Sequence, residues 1–134
     1  MTNGRPAASS VKEMVSEARS RIENLSPEQV EEELKQGALL VDIRERDEID
    51  RSGAIPGASH YPRGMLEFWA DPASPYHKED LDPERRIILH CASGGRSALA
   101  ADMMRSLGFG RVAHMDGGFQ RWKQEGRRVE EGSG

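Results

Sequence analysis

Apolar residues recur along this chain in two rhythms, one helical and one strand-like. Val11, Val15, Ala18, Ile22 and Leu25 are spaced four, three, four and three, which places them on one helical stripe and predicts a helix over 11–25. Ser26-Pro27-Glu28-Gln29 then reads as a fresh helix start. Ser26 suits the N-cap, Pro27 the first helical position and Gln29 the reciprocal capping-box position. Val30 and Leu34 mark the inner face of that helix, and Gly37 is expected to end it.

Short continuous apolar runs alternate with these helical patterns. Ala38-Leu39-Leu40-Val41-Asp42-Ile43 predicts a buried strand. Arg44-Glu45-Arg46-Asp47-Glu48-Ile49 is too charged for a core and predicts a short solvated helix. Gly53-Ala54-Ile55-Pro56-Gly57-Ala58 is turn chemistry, Ser59-His60-Tyr61 a short strand, and Met65 to Trp69 a helical turn. Arg86 to Cys91 and Arg111 to Met115 predict two further strands. Helices are expected over Arg96–Leu107 and Phe119–Lys123. Strands alternating with helices imply an α/β fold, a mostly parallel sheet covered on both faces. Ligands of such sheets bind beyond the carboxyl ends of the strands, and Cys91 stands at one of those ends.

Cys91 is the only cysteine among 134 residues, so no internal disulfide supports the fold and a reducing cytoplasm is the expected compartment. A lone cysteine after three aliphatics is ordinarily an inert core residue. The segment that follows argues otherwise. Ala92-Ser93-Gly94-Gly95-Arg96-Ser97 is small, carries two glycines and opens a helix. Unpaired N–H groups at a helix start, with roughly half a positive charge from the macrodipole, make a nest for an anion such as a thiolate. His90 adjoins Cys91 but should point to the opposite face of its strand. His60, His77 and His114 show no metal-ligand spacing and read as surface or satisfied core residues. Trp69 and Trp122 read as packing residues, with Phe68 and Trp69 as candidate walls of a pocket.

Composition narrows the function classes. Nineteen basic against 23 acidic residues give a net charge of −4, which argues against a general nucleic-acid binder. No run approaches the ~20 apolar residues of a membrane span. Residues 1–10 are small and polar and are expected to form a disordered tail.

Three segments together resemble the rhodanese (sulfurtransferase) domain family. They are Val41-Asp42-Ile43-Arg44-Glu45 with Gly53-Ala54-Ile55-Pro56-Gly57-Ala58, the Cys91 loop, and Met115-Asp116-Gly117-Gly118-Phe119 with Trp122. Many members of that family carry His where this chain has Ala54, a position in a structural turn. The resemblance implies a three-layer, rhodanese-like fold over residues 26–130, a mostly parallel five-stranded sheet flanked by helices. The helix at 11–25 falls outside the family pattern. The resemblance also implies that Cys91 is the sulfur-carrying nucleophile, that Ala92, Ser93, Gly94, Gly95 and Arg96 form its active-site loop, and that Asp42 and Arg44 support it. Ser97 is expected as a helix cap, with a hydroxyl available as a further donor. No cofactor and no metal are implied.

The function so implied is transfer of a sulfane sulfur from thiosulfate or a persulfide to a thiol or cyanide-type acceptor, through a Cys91 persulfide. The partners are a small sulfur donor and a thiol acceptor, with a sulfur-relay protein as a further candidate. Nucleic acid and membrane are not expected. A monomer is favoured over a homodimer formed through residues 11–25. Two other readings remain: a sulfur-carrier or binding module that acts only with a partner protein, and a phosphatase or arsenate reductase on the same scaffold. The signature of the latter two enzymes holds five residues between Cys and Arg, whereas Cys91 and Arg96 enclose four.

Overall fold

A computed structural model describes residues 10–131. The expected tail at 1–10 therefore lies outside the described residues, apart from Ser10. That residue caps the first helix, α1 (Val11–Arg21), by accepting the Glu13 N–H. The helix stops four residues short of the predicted end at 25. Ile22 adopts an extended φ of −124°, and the Asn24 side-chain amide donates to the carbonyls of Arg19 and Ile22. This satisfies carbonyls that a continuing helix would have paired. Residues Glu23–Leu25 become strand β1 instead. Ile22 and Leu25 still bury apolar surface, but on opposite sides of the sheet, because strand neighbours alternate.

The remaining elements follow the expected alternation. Helix α2 (Pro27–Lys35) carries the Ser26–Gln29 capping box, and Gly37 beyond it adopts φ +99°. Then come β2 (Leu39–Asp42), α3 (Arg46–Ser52), β3 (Ser59–His60), a 3-10 turn (Arg63–Met65) and α4 (Leu66–Ala70). The chain continues with β4 (Ile87–His90), α5 (Gly95–Ser106), β5 (Val112–Met115) and α6 (Gly118–Gln124). All five strands are parallel, in the order β1-β5-β4-β2-β3.

The sheet divides two apolar layers. Val41, Ile87, Leu89 and Val112 face α4 and α5, joined by Leu66, Ala101 and Met104. Leu40, Ile88, Ala113 and Met115 face α2 and α6, joined by Val30, Phe119 and Trp122. Residues 44–49 are less solvated than their charge suggests, since Arg44 and Ile49 are both buried. A buried guanidinium needs a buried partner, and Asp42 supplies it.

Helix α1 docks on α5 within the same chain, burying Ala18 between them. Arg21 grips Asp102 with hydrogen bonds of 2.8–3.1 Å, and Arg19 pairs with Asp116. Val11, at the outer end of the helix, stays 68% exposed.

Candidate active site

Cys91 leaves the carboxyl end of β4, and the chain turns at once into α5. Gly94 makes the turn with φ +108°, which an L side chain rarely adopts. It serves as the N-cap of α5 without a side-chain hydrogen bond. The turn folds the backbone around the sulfur. Cys91 Sγ accepts the Gly94 N–H at 3.2 Å and the Ser97 N–H at 3.4 Å. The residue is only 1% exposed. Ser93 is the exposed tip of the loop, and Gly95 and Arg96 belong to the first turn of α5.

Ser97 is not the cap that its neighbourhood suggested. It is buried in the first turn, and its hydroxyl stands 3.5 Å from Cys91 Sγ and 2.9 Å from His114 Nδ1. His114 Nε2 in turn lies 2.8 Å from Asn24 Oδ1. Strand register explains this row. Leu89 pairs with His114 and Asn24 with His114, so all three side chains project to the α5 face, as Cys91 does two residues past Leu89. Burial pushes the His114 ring down to about 4, with Asp116 opposing and Arg19 assisting. The ring is therefore neutral at neutral pH.

Arg96 does not point its charge freely at the sulfur. Its guanidinium forms two 2.8 Å hydrogen bonds to the Glu48 carboxylate of α3. Those bonds come first among the causes that pull Glu48 down to about 2, against a partial burial that works the other way. The pair ties the start of α5 to α3 and leaves the loop close to neutral.

The segment after β5 clamps the loop from the other side. Phe119 N–H donates to the Cys91 carbonyl at 2.8 Å, and Gln120 N–H to the Ala92 carbonyl at 2.9 Å. A Cβ on Gly118 would stand 2.6 Å from the Ala92 carbonyl carbon and oxygen. Only glycine permits so close an approach.

Asp42 and Arg44 lie on the opposite face of the sheet. Arg44 binds both Asp42 oxygens at 2.7–3.2 Å, donates to the Gly53 carbonyl at 2.8 Å and stacks 4.2 Å over the Phe119 ring. They reach the loop through Phe119, whose N–H holds the Cys91 carbonyl, and through His90, which lies between Asp42 and that same carbonyl. Burial alone would raise the Asp42 carboxyl, but the Arg44 hydrogen bonds, with the charges of His90 and Arg44, hold it below its usual range. His90 shares this face. Its Nδ1 stands 3.3 Å from the Cys91 carbonyl, while Nε2 is buried without a hydrogen-bond partner among the described residues, 3.6 Å from Asp42. Burial holds its ring below the ordinary histidine range, against the pull of Asp42.

His60 Nε2 meets the Arg44 carbonyl and His77 Nδ1 the Trp69 carbonyl, both structural contacts. Trp69 tilts against Tyr61, and Phe68 meets Tyr76 edge-on at the surface. Among the described residues no group of three His, Cys, Asp or Glu side chains could hold a metal ion. No helix among them is long and apolar enough to cross a membrane.

Two site residues escaped the sequence reading. By sequence His114 reads as core or surface, and Asn24 falls on the helix predicted over 11–25. Alternation with Val112 could have put His114 on a defined face, but not beside Cys91. Chemically, the arrangement is a buried thiol in a cradle of N–H donors, with a hydroxyl and a neutral imidazole behind it. Such a thiol can act as a nucleophile and hold an anionic adduct.

Known proteins share the fold that carries this arrangement. Residues 26–125 match the rhodanese-like domain. A thiosulfate sulfurtransferase of Ectopseudomonas mendocina is 33% identical over 104 residues, which is 78% of this chain and 87% of that protein. A Rhodopseudomonas palustris protein of unknown function, described as a possible tyrosine phosphatase, superposes with a TM-score of 0.86 at 42% identity, covering 95% of this chain and 100% of that one. A homodimeric polysulfide-sulfur transferase of Wolinella succinogenes superposes with a TM-score of 0.73 at 28% identity, covering 90% and 86%. With its fold and three-quarters of its length in accord, this chain belongs to the rhodanese-like domain family.

Proposed function

We propose that the protein is a sulfurtransferase that carries one sulfane sulfur on Cys91. The thiolate attacks the terminal sulfur of thiosulfate or of a persulfide. A new S–S bond forms, and sulfite or the donor thiolate leaves with the electron pair of the bond that breaks. An acceptor thiolate then attacks the outer sulfur of the Cys91 persulfide and regenerates the Cys91 thiolate. The persulfide is an anion, and the single observation that carries the reading is the pair of N–H groups, Gly94 and Ser97, converging on Cys91 Sγ. Sulfurtransferase relatives of matching length support it.

The partners in this reading are a small sulfur donor, a thiol acceptor and, where one exists, a sulfur-relay protein, in a reducing compartment. Glu48 neutralises the loop's one cation. A monoanionic persulfide donor therefore fits better than the thiosulfate dianion, which would need an unpaired cation.

The test is an intact mass after incubation with a sulfur donor and desalting. The expected result is a gain of one sulfur atom, absent from Cys91→Ser. No adduct, or hydrolysis of an aryl phosphate faster than sulfur transfer, would overturn the assignment in favour of the phosphatase reading.

A further inference from the structure

The hydrogen bonds behind Cys91 have a direction that can be derived atom by atom. Asn24 Nδ2 donates to two backbone carbonyls, those of Arg19 and Ile22, at 3.0 and 3.1 Å. Its Oδ1 must therefore be the atom that faces His114, and an oxygen can only accept. His114 Nε2 thus carries the ring proton. A neutral imidazole protonated at Nε2 offers a lone pair at Nδ1. Ser97 Oγ has one hydrogen and two acceptors in reach, and it donates to Nδ1 at 2.9 Å, for which no other donor is at hand, rather than to the Gly94 carbonyl at 3.3 Å. With that hydrogen committed, Ser97 Oγ turns a lone pair to Cys91 Sγ at 3.5 Å, the position of an acceptor for the thiol proton.

We infer that Ser97, His114 and Asn24 form a proton relay that withdraws the Cys91 thiol proton, and the inference rests on the sulfurtransferase reading for its purpose. The Cys91 S–H bond breaks as its proton moves to Ser97 Oγ. The Ser97 O–H bond breaks as that proton moves to His114 Nδ1. The products are a thiolate and an imidazolium, and nothing is oxidised or reduced. No hydrogen bond is lost. The thiolate keeps its two N–H donors and gains the Ser97 hydroxyl, while His114 donates from both nitrogens, to Ser97 Oγ and Asn24 Oδ1. The charged groups facing the ring are Asp116, at the end of β5, and Arg19 of α1, which are paired with each other. Those nearest the loop, Arg96 and Glu48, are likewise paired. The new thiolate is the counter-ion that makes a buried imidazolium tolerable.

A second feature ties the relay to this chain. Asn24 sits on β1, outside the segment 26–125 that matches the family, and its side chain is held by the end of α1. The N-terminal helix is thus the element that sets the tautomer of a histidine behind the thiol.

The test follows iodoacetamide alkylation of Cys91 against pH, with no sulfur donor present. The ratio of the rate near neutral pH to the rate at alkaline pH should fall about tenfold in Ser97→Ala and in His114→Gln, one decade of protonation equilibrium. Glutamine can still accept the Ser97 hydrogen bond but cannot take a proton. The double variant should fall no further than either single one. An unchanged ratio in His114→Gln, or additive losses, would overturn the relay. Should a variant fail to fold, long-range proton–nitrogen NMR of the unmodified chain decides: an Nε2–H tautomer of His114 is expected, and an Nδ1–H tautomer refutes the inference. Both readouts are independent of sulfur transfer. Sulfur loading that persists beside an unchanged alkylation profile would sink the relay alone, and absent loading beside the expected profile would sink the transfer reading alone.

Discussion

Two polar clusters flank the central strands at their carboxyl ends, one on each face of the sheet. On the α5 face, Cys91, Ser97, His114 and, at the exposed end, Asn24 are hydrogen-bonding groups in a row. On the α6 face, Asp42 and Arg44 form a full ion pair, with His90 beside it and one His90 nitrogen unsatisfied. The same sheet register builds both, since Asp42 pairs with His90 as Leu89 pairs with His114. The difference lies in what can move. An ion pair with four hydrogen bonds between its partners is held by its charges, and moving a proton through it would destroy it. A chain of hydroxyl and imidazole can shift protons while each atom keeps a partner. One face fixes the backbone behind the loop, and the other has the properties that chemistry at the thiol requires.

The largest expected effect belongs to the static face. Arg44→Met leaves the Asp42 carboxylate buried without its partner and should cost about 3–5 kcal/mol in urea denaturation. Replacing both residues, Asp42→Asn with Arg44→Met, should restore a substantial part. A loss below about 1 kcal/mol, the scale of a surface pair, would show that the two faces do not differ as described.

The pH dependence of stability comes next and tests the other face. The His114 ring is depressed from 6.5 to about 4 in the folded chain. Below pH 6.5 the unfolded chain takes up a proton that the folded chain does not take until about pH 4. Stability present above pH 6.5 is therefore lost as pH falls through about 4. Removing this group in His114→Gln should reduce that acid loss by on the order of 3 kcal/mol. His90, shifted in the same direction, remains in the variant and supplies part of the slope. Identical acid losses in the two proteins would show that His114 is already charged in the fold.

Gly118→Ala joins the faces, because Gly118 lies against the Ala92 carbonyl while its neighbour Phe119 carries Arg44. The intruding methyl should cost about 1–3 kcal/mol, as overpacking does, and should reduce sulfur loading at Cys91. Gly126→Ala, also at a positive φ (+75°) but with open space around its Cβ, is the matching control. Equal effects at the two glycines would remove the clamp from the account.

The smallest effect concerns the half-exposed pair outside both clusters. Arg96→Gln should cost about 0.2–1 kcal/mol in thermal or urea unfolding. Glu48→Gln instead releases the Arg96 charge and should raise the kcat/KM for thiosulfate relative to a persulfide donor. An unchanged ratio would mean that Arg96 does not reach a donor even when freed.

Much of this was legible in the residues. Ser26-Pro27-Glu28-Gln29 announces a helix start by its own hydrogen-bonding chemistry, and the capping box is present. The apolar runs at 39–43 and 87–91 announce buried strands, and the glycine turn after Cys91 announces an anion cradle. The stripe from Val11 to Leu25 misled, because strand neighbours on opposite faces can mimic helical spacing over a few residues. At Asn24 a single side chain ended the helix by capturing its carbonyls. The charged run at 44–49 reads as solvated because the buried partner of Arg44, Asp42, lies in an apolar run that signals only a strand.

The sequence by itself determined the alternation of helices and strands, the place of the thiol at a strand end and the donors that surround it. All of these follow from local periodicity, capping and turn chemistry within about a dozen residues. Only the tertiary structure decided that Asn24, Ser97 and His114, far apart in the chain, stand in line behind Cys91, and that Glu48 neutralises Arg96. The reason is physical. Parallel strand register and helix docking are set by the packing of whole layers, and no local pattern states which residues of distant strands will share a row.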